Sequence, residues 1–190
     1  MRLDKVSPAS FTFYREPVLA VDGKMQYLFD HTGKRYLDFI SGISTVGLGH
    51  CHPRITEAMK AQMDKLQHVT TIYLNDQHSL FAEELTAKLP EGIDTVYFTS
   101  SGSEANALAT QFARLHTKNW SLMHVGNGYH GHGGSAHLTN MSPYNHEIPK
   151  TQGVEIAPFP DMYRSPFPID EAPRRYADMM KQSVDYATSG

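Results

Sequence analysis

The 190-residue chain is long enough to bury one hydrophobic core, and its 40% hydrophobic and 19% charged residues exclude a disordered chain. Its net charge of −3 provides no positive field for nucleic acid or an anionic membrane. No apolar run reaches the length of a membrane span, and no targeting segment is visible. Cys51 is the only cysteine, which excludes an internal disulfide and is typical of a reducing compartment. We therefore expect neither a nucleic-acid partner nor a membrane.

The first predicted element is a β-hairpin. Residues 26–30 and 35–40 are rich in aromatic and β-branched side chains, and the sequence HTGK at 31–34 supplies the turn between them. After a glycine-rich stretch, a helix is predicted to begin at Pro53. Its apolar residues fall on one face, which we expect to be buried: Ile55, Ala58, Met59, Met63 and Leu66.

The following elements predict an α/β fold. A helix is expected from Asp76, as N-cap, to Leu89, and a short buried strand over 95–99. A serine- and glycine-rich turn then leads into a third helix, and a second buried strand follows at 121–125. Strand, helix and strand in this order are typical of parallel pairing. The apolar face of the third helix comprises Ala105, Leu108, Ala109, Phe112 and Leu115.

The end of the sequence shapes the predicted domain organisation. Proline-rich chain with an extended piece at 154–157 precedes a last helix over 174–186. These elements make up only part of a doubly wound sheet, so we expect the chain to be a portion of a longer protein. We assign 1–75 to an N-terminal hairpin and helix segment, and 76–190 to a partial large domain with a mostly parallel sheet.

The turn Ser101-Gly102-Ser103-Glu104 is the principal candidate site. A helix N-terminus presents unpaired N–H groups and the positive end of the helix dipole, and Gly102 lets an anion approach the backbone. Ser103 adds a hydroxyl donor. The alternative is a capping box, since Ser101 and Glu104 have the S-x-x-E spacing. The predicted position at the end of a parallel strand favours phosphate binding.

The glycine-rich segment 126–134 follows the second predicted strand. It matches G-x-G-x-x-G, but no apolar helical period follows it, so a dinucleotide site is disfavoured. Tyr129 in this segment could stack on a planar cofactor beside a phosphate site. Its alternative role is that of an ordinary core aromatic.

The eleven histidines raise the question of a metal site. His130, His132 and His137 cluster in sequence, but no fourth ligand recurs nearby and no C-x-x-C pair is present. The segment 49–53 is better interpreted as a tight turn that enters the helix at Pro53. We predict no metal.

Four stretches together resemble class III aminotransferases, which are pyridoxal-phosphate enzymes of fold type I. The most similar branch contains alanine–glyoxylate aminotransferases and related phospholyases. The stretches are Gly33-Lys34-Arg35-Tyr36-Leu37-Asp38-Phe39, Gly47-Leu48-Gly49-His50-Cys51-His52-Pro53, Ser101-Gly102-Ser103-Glu104-Ala105-Asn106 and Tyr129-His130-Gly131.

This resemblance implies a set of site residues for pyridoxal 5'-phosphate. Gly102 and Ser103 would hold the phosphate through their backbone amides, and Tyr129 would stack on the pyridine ring. The cofactor-binding set is then Ser101, Gly102, Ser103, Tyr129 and His130, and the substrate-pocket set is Ser41, Gly42, Ile43, Thr70 and Thr71. Family members are homodimers with the active site at the subunit interface.

The implied reaction moves an amino group from a small, alanine-like amino acid to an oxo acid such as glyoxylate or pyruvate. A phospholyase of the same branch and a non-catalytic interaction protein are the alternatives. In the family the cofactor-linked lysine lies downstream of residue 190, so we expect no catalytic residue in this chain and no turnover by it alone. His132 stands where several relatives have an arginine that binds the substrate carboxylate. The location implied is mitochondrial, with cytoplasmic as the alternative.

Overall fold

The computed structural model describes residues 5, 13–132 and 153–188. The chain forms two compact units, Met1–Phe81 and Ala82–Gly190. None of the helices in the described ranges combines the length and the apolar character that crossing a bilayer requires.

The first unit contains a three-stranded antiparallel sheet. Its strands are β1 (Ala20–Lys24), β2 (Tyr27–Asp30) and β3 (Arg35–Leu37), in that spatial order. The pairing of β2 with β3, in which Tyr27 lies opposite Leu37, confirms the predicted hairpin. The sequence did not predict β1, because Asp22 and Gly23 are unfavourable in strands. Pairing with β2 forms this strand despite its composition.

A buried carboxylate closes the turn of the hairpin. Asp30 is 8% exposed, and its Oδ1 accepts hydrogen bonds from the N–H of Thr32 at 2.8 Å and of Lys34 at 3.1 Å. The Thr32 hydroxyl also donates to Oδ1, and the Tyr36 hydroxyl donates to Oδ2 at 2.8 Å. The side-chain hydrogen bonds from Thr32 and then Tyr36 lower the pKa of Asp30 far below its ordinary value of 3.8.

Two predicted helices begin close to their predicted starts. They are α2 (Pro53–Lys65) and α3 (Asp76–Thr86), which crosses the boundary between the units at Phe81; a short helical turn, α1 (Ser41–Ser44), was not predicted. Pro53 is the first helical residue after His52, as expected. Asn75 caps α3 instead of Asp76, because its Oδ1 accepts the N–H of Gln77 at 2.8 Å. This helix also ends before Leu89, since the chain turns at 87–89.

The predicted burial of the α2 face is wrong for the described residues. Ile55, Met59 and Met63 are each about half exposed. Helical periodicity identifies the apolar face but not the surface that covers it. No cover for this face is present among the described residues of the first unit.

The second unit contains a parallel strand pair and two long helices. Its elements are α4 (Gly102–Thr117), β4 (Leu122–Val125), β5 (Val154–Ala157) and α5 (Ala172–Thr188). β4 pairs with β5 in parallel, with Leu122 opposite Val154. α5 packs against β5, and Ala157 and Ala172 are fully buried. The predicted α/β architecture with parallel pairing is confirmed.

The strand predicted over 95–99 is not formed. This segment has no hydrogen-bonded neighbouring strand in the described part of the chain, and a strand exists only through such pairing. Tyr97 is accordingly exposed. The α4 face is also not buried as expected: Phe112 and Leu115 are half to two-thirds exposed. The turn before α4 therefore follows an unpaired segment, and not a strand end.

Replacement of Asp30 tests the role of the buried carboxylate. Asp30→Ala removes the acceptor of four donors, so we expect the thermal midpoint of the complete protein to fall by about 4 °C or more. Asp22→Ala is the matched control, because the one hydrogen bond that the exposed Asp22 side chain accepts from the described residues is that of the adjacent Gly23 N–H, and its midpoint should be unchanged. Equal shifts in the two variants would contradict the assignment.

The same variant gives a pH dependence of defined sign. Because folding lowers the pKa of Asp30, its stabilisation is fully present above the ordinary pKa of 3.8 and is lost as the pH falls further. The difference in stability between wild type and Asp30→Ala should therefore be constant near neutral pH and shrink in acid. Denaturant titrations at several pH values measure this difference.

Candidate functional site

The N-terminus of α4 is closed by a reciprocal cap. Ser101 has extended backbone (φ −157°, ψ 158°), and its hydroxyl accepts the N–H of Glu104 at 3.2 Å. The Glu104 carboxylate accepts the N–H of Ser100 at 2.7 Å, one residue before the usual capping-box partner. The capping geometry that the S-x-x-E spacing indicated is thus present.

The cap leaves room for an anion. It uses the N–H groups of Glu104 and Ala105, the latter donating to the Ser101 carbonyl at 3.0 Å. Among the described hydrogen bonds, none uses the N–H of Gly102, which begins the helix. A Cβ added to Gly102 would meet nothing within 4 Å, so a tetrahedral oxyanion can reach the backbone there. The residues present therefore fit a phosphate group.

The second predicted loop begins where β4 ends. Gly126 lies against β5, since a Cβ on it would stand 3.3 Å from the Ala157 carbonyl oxygen. Asn127 and Gly131 have positive φ values of 60° and 96°. No helix has begun by His132, the last residue described before 153. The positions of His137 and of the other predicted features within 133–152 lie outside the described residues.

Hydrogen bonds join this loop to the helix N-terminus. The N–H of His132 donates to the Ser103 hydroxyl at 3.0 Å, and the Asn106 side chain donates to the His130 carbonyl at 3.1 Å. Gly131 lies so close that an added Cβ would stand 2.9 Å from the Ser103 Cα. The structure thus brings Ser101, Gly102 and Ser103 together with the loop that carries Tyr129.

The aromatic side chains of the loop point in different directions. The Tyr129 ring is 48% exposed and lies edge-on to His132 at 5.7 Å between centroids. The His130 ring lies edge-on to the buried His124 at 5.5 Å. A cofactor contact therefore remains a prediction for both Tyr129 and His130. In the described ranges no three His, Cys, Asp or Glu side chains form a metal-binding group.

The predicted substrate residues lie in the first unit. Ser41, Gly42 and Ile43 belong to α1, a single left-handed turn in which Ser41, Gly42, Ile43 and Ser44 have φ values of 51°, 58°, 58° and 65°. Left-handed backbone costs about 1–2 kcal/mol per non-glycine residue, and more is expected for the β-branched Ile43. The Ile43 side chain is 82% exposed. Turns of this kind concentrate at functional sites.

Thr70 and Thr71 form a separate turn in the same unit. The Thr70 carbonyl accepts the N–H of Tyr73 at 3.1 Å, and its hydroxyl accepts the N–H of Ile72 at 3.2 Å. Both threonines are exposed. Their place in a substrate pocket remains a prediction.

Sequence patterns did not reveal two side-chain interactions, that of Asp38 with His50 and that of Asn106 with the His130 carbonyl. Asp38 Oδ2 lies 2.7 Å from His50 Nε2, and its Oδ1 accepts the N–H groups of Ile40 and Ser41 at 2.8 and 2.9 Å. The hydrogen bond from His50 is the main cause of the lowered pKa of Asp38. Asn106 is the other case. No periodicity relates these residues to their partners, although all three lie within the motifs quoted above.

Comparisons with known proteins identify relatives of the chain. Residues 14–185 match the family model for class-III aminotransferases. The chain is 42% identical, over its whole length and 39% of the relative, to alanine–glyoxylate aminotransferase 2 homolog 2, mitochondrial, of Arabidopsis thaliana. It is 38% identical to alanine–glyoxylate aminotransferase 2, mitochondrial, of Homo sapiens, over 86% of the chain and 32% of that protein.

A solved structure extends the comparison to the fold. A phospholyase from Arthrobacter in complex with phosphoethanolamine superposes with a TM-score of 0.84 and 31% identity, over 99% of this chain and 43% of that one. The chain thus spans about two fifths, or less, of the length of these relatives. The predicted fold class, part of a fold type I large domain, is confirmed. The chain belongs to the class-III aminotransferase family.

Proposed function

We propose that the complete protein is a pyridoxal-phosphate-dependent aminotransferase that moves an amino group from an alanine-like amino acid to an oxo acid such as glyoxylate or pyruvate. The observation that carries the proposal is the open helix N-terminus at Gly102, which hydrogen bonds join to the Tyr129 loop in a chain of this family. The aminotransferase relatives, at 42% and 38% identity, support the choice of reaction.

The positions of the second-unit residues support the roles that we propose for them. The N–H groups of Gly102 and Ser103 would bind the cofactor phosphate, and the Ser101 cap would hold the helix start in place. The half-exposed Tyr129 ring would stack on the pyridine, with His130 beside it. Pyridoxal phosphate, when bound, supplies an electron sink for the carbanion that forms when the amino acid loses its α-proton.

The remaining parts of the proposal concern the first unit and the assembly. Ser41, Gly42, Ile43, Thr70 and Thr71 would line the substrate pocket, within an N-terminal segment of residues 1–75 that precedes a cofactor-binding part of residues 76–190. We propose a homodimer, as in family members, and a mitochondrial location, since the named relatives are mitochondrial.

A phospholyase is the second candidate function. The Arthrobacter structure in complex with phosphoethanolamine, at 31% identity over almost the whole chain, favours it. A lyase would use the same cofactor residues but release phosphate and not transfer an amino group. The aminotransferases have the higher identity, 42% over the whole chain and 38% over 86% of it, which makes transfer the leading proposal.

Substitutions at two glycines distinguish an effect on cofactor affinity from an effect on stability. Gly102→Ala meets open space in ordinary helical backbone, so we expect an unchanged thermal midpoint and about tenfold weaker pyridoxal phosphate binding. Gly131→Ala is strained at φ +96° and displaces Ser103, so both stability and affinity should fall. Equilibrium dialysis and thermal unfolding of the complete protein measure the two quantities. An unchanged affinity for pyridoxal phosphate in Gly102→Ala would show that the phosphate does not bind at this turn.

Product analysis distinguishes the two candidate reactions. The complete protein with pyridoxal phosphate should form pyruvate and glycine from alanine and glyoxylate in equal amounts. It should release inorganic phosphate from phosphoethanolamine at least about a hundredfold more slowly, a difference of about 2.7 kcal/mol in transition-state stabilisation. Phosphate release that exceeds pyruvate formation would establish the lyase. A control without oxo acid shows that pyruvate arises by transfer.

A further inference from the structure

The left-handed turn Ser41–Ser44 is held by the residues around it. The Thr45 hydroxyl donates to the Gly42 carbonyl at 2.7 Å, and the N–H of Val46 donates to the Ser41 carbonyl at 2.9 Å. From the other side, Asp38 accepts the N–H of Ser41. Each bond fixes backbone and not a side-chain tip. The turn therefore keeps its conformation while the Ile43 side chain projects outward.

Asp38 is itself fixed by His50. The carboxylate is 9% exposed and the imidazole 19%, and the Nε2–Oδ2 distance of 2.7 Å is that of a strong hydrogen bond. This bond occupies Oδ2 and leaves Oδ1 to accept the N–H groups of Ile40 and Ser41. Loss of the imidazole would let the carboxylate rotate away from both amides.

His50 is in turn anchored to the antiparallel sheet. Its backbone pairs with Met25 through two hydrogen bonds of 2.7 and 2.8 Å. Its side chain lies over Gly23, where an added Cβ would stand 2.9 Å from the His50 Cβ. The sequence of contacts thus runs from the sheet through His50 and Asp38 to the strained turn.

We propose that His50 is a positioning residue, which acts through Asp38 to hold the turn Ser41–Ser44 so that Ile43 presents an apolar contact to the amino substrate. The proposal rests on the proposed function, in which this turn lines the substrate pocket. It adds a determinant of substrate affinity that touches neither substrate nor cofactor. Ile43 would contact a small apolar side chain of the amino substrate, such as the methyl group of alanine.

Substitutions at His50 in the complete protein with pyridoxal phosphate test this role. His50→Ala should raise the KM for alanine about tenfold, with kcat and cofactor affinity unchanged, because the contact that is lost binds the substrate and the transition state equally. His50→Gln can donate an amide N–H to Asp38 and should restore most of the affinity. His31→Ala is the matched control, since exposed His31 bonds, among the described residues, only through its backbone N–H to the Leu19 carbonyl, and the variant should behave as wild type.

Hydrogen–deuterium exchange gives a readout that does not depend on activity. The amides of Ile40 and Ser41 donate to Asp38, so a peptide covering 38–46 should exchange at least about tenfold faster in His50→Ala and near the wild-type rate in His50→Gln. An unchanged KM in His50→Ala, or equal effects of the His50→Ala and His50→Gln substitutions, would overturn the proposal.

A second variant is available if His50→Ala does not fold. Thr45→Val removes the hydrogen bond to the Gly42 carbonyl and should raise the KM several-fold. An unchanged KM in Thr45→Val would then overturn the proposal.

The outcomes of these experiments distinguish failure of the positioning role from failure of the proposed function. A wild-type protein that lacks transamination overturns the proposed function, and the substrate role of the turn with it. Wild-type turnover combined with unaltered KM values and unaltered exchange in the variants overturns only the positioning role. Faster exchange over 38–46 without a change in KM shows that His50 holds the turn but that the turn does not bind the substrate.

Discussion

The contact between Ser103 and the loop ending at His132 is the constraint on which the candidate cofactor site depends. The Ser103 hydroxyl accepts a backbone N–H, and Gly131 approaches the Ser103 Cα too closely for any side chain at position 131. Both contacts fix the backbone of the loop against Ser103, so the distance from the helix N-terminus to Tyr129 is set by the fold. A ligand that contacts both places finds them already arranged, and less of its binding energy is lost in ordering them.

The first unit uses buried carboxylates for the same purpose. Asp30 accepts four donors in the hairpin turn, and Asp38 accepts two backbone amides and the imidazole of His50. A carboxylate has about four lone-pair positions, so one side chain can organise a turn that no ladder of backbone bonds supports. Because these bonds favour the charged form, folding lowers the pKa of both groups. The left-handed turn beside Asp38 is retained by such bonds in spite of its strain.

Local signals were sufficient to predict the elements whose ends are set by single residues. Pro53 begins α2, Ser101 caps α4, and the turn at 31–34 joins two strands, as the sequence indicated. Predictions that depend on a distant partner fared worse. The segment 95–99 has strand composition but no neighbouring strand among the described residues, whereas β1 is formed by pairing despite Asp22 and Gly23. The Asp38–His50 bond spans twelve residues without a periodic signal. The sequence therefore indicated the candidate turns but not the bonds that hold them.

Buried carboxylates hold the turns of the first unit, whereas the side chains proposed to contact ligands are exposed. Asp30 and Asp38 are 8% and 9% exposed, and Ile43 and Tyr129 are 82% and 48% exposed. Exposed side chains can change without loss of the backbone that presents them. One scaffold can then serve different reactions, in keeping with its likeness to aminotransferases and to a phospholyase. Under the proposed function, the choice of substrate would then depend on exposed side chains such as Ile43, which can differ between relatives that share the scaffold.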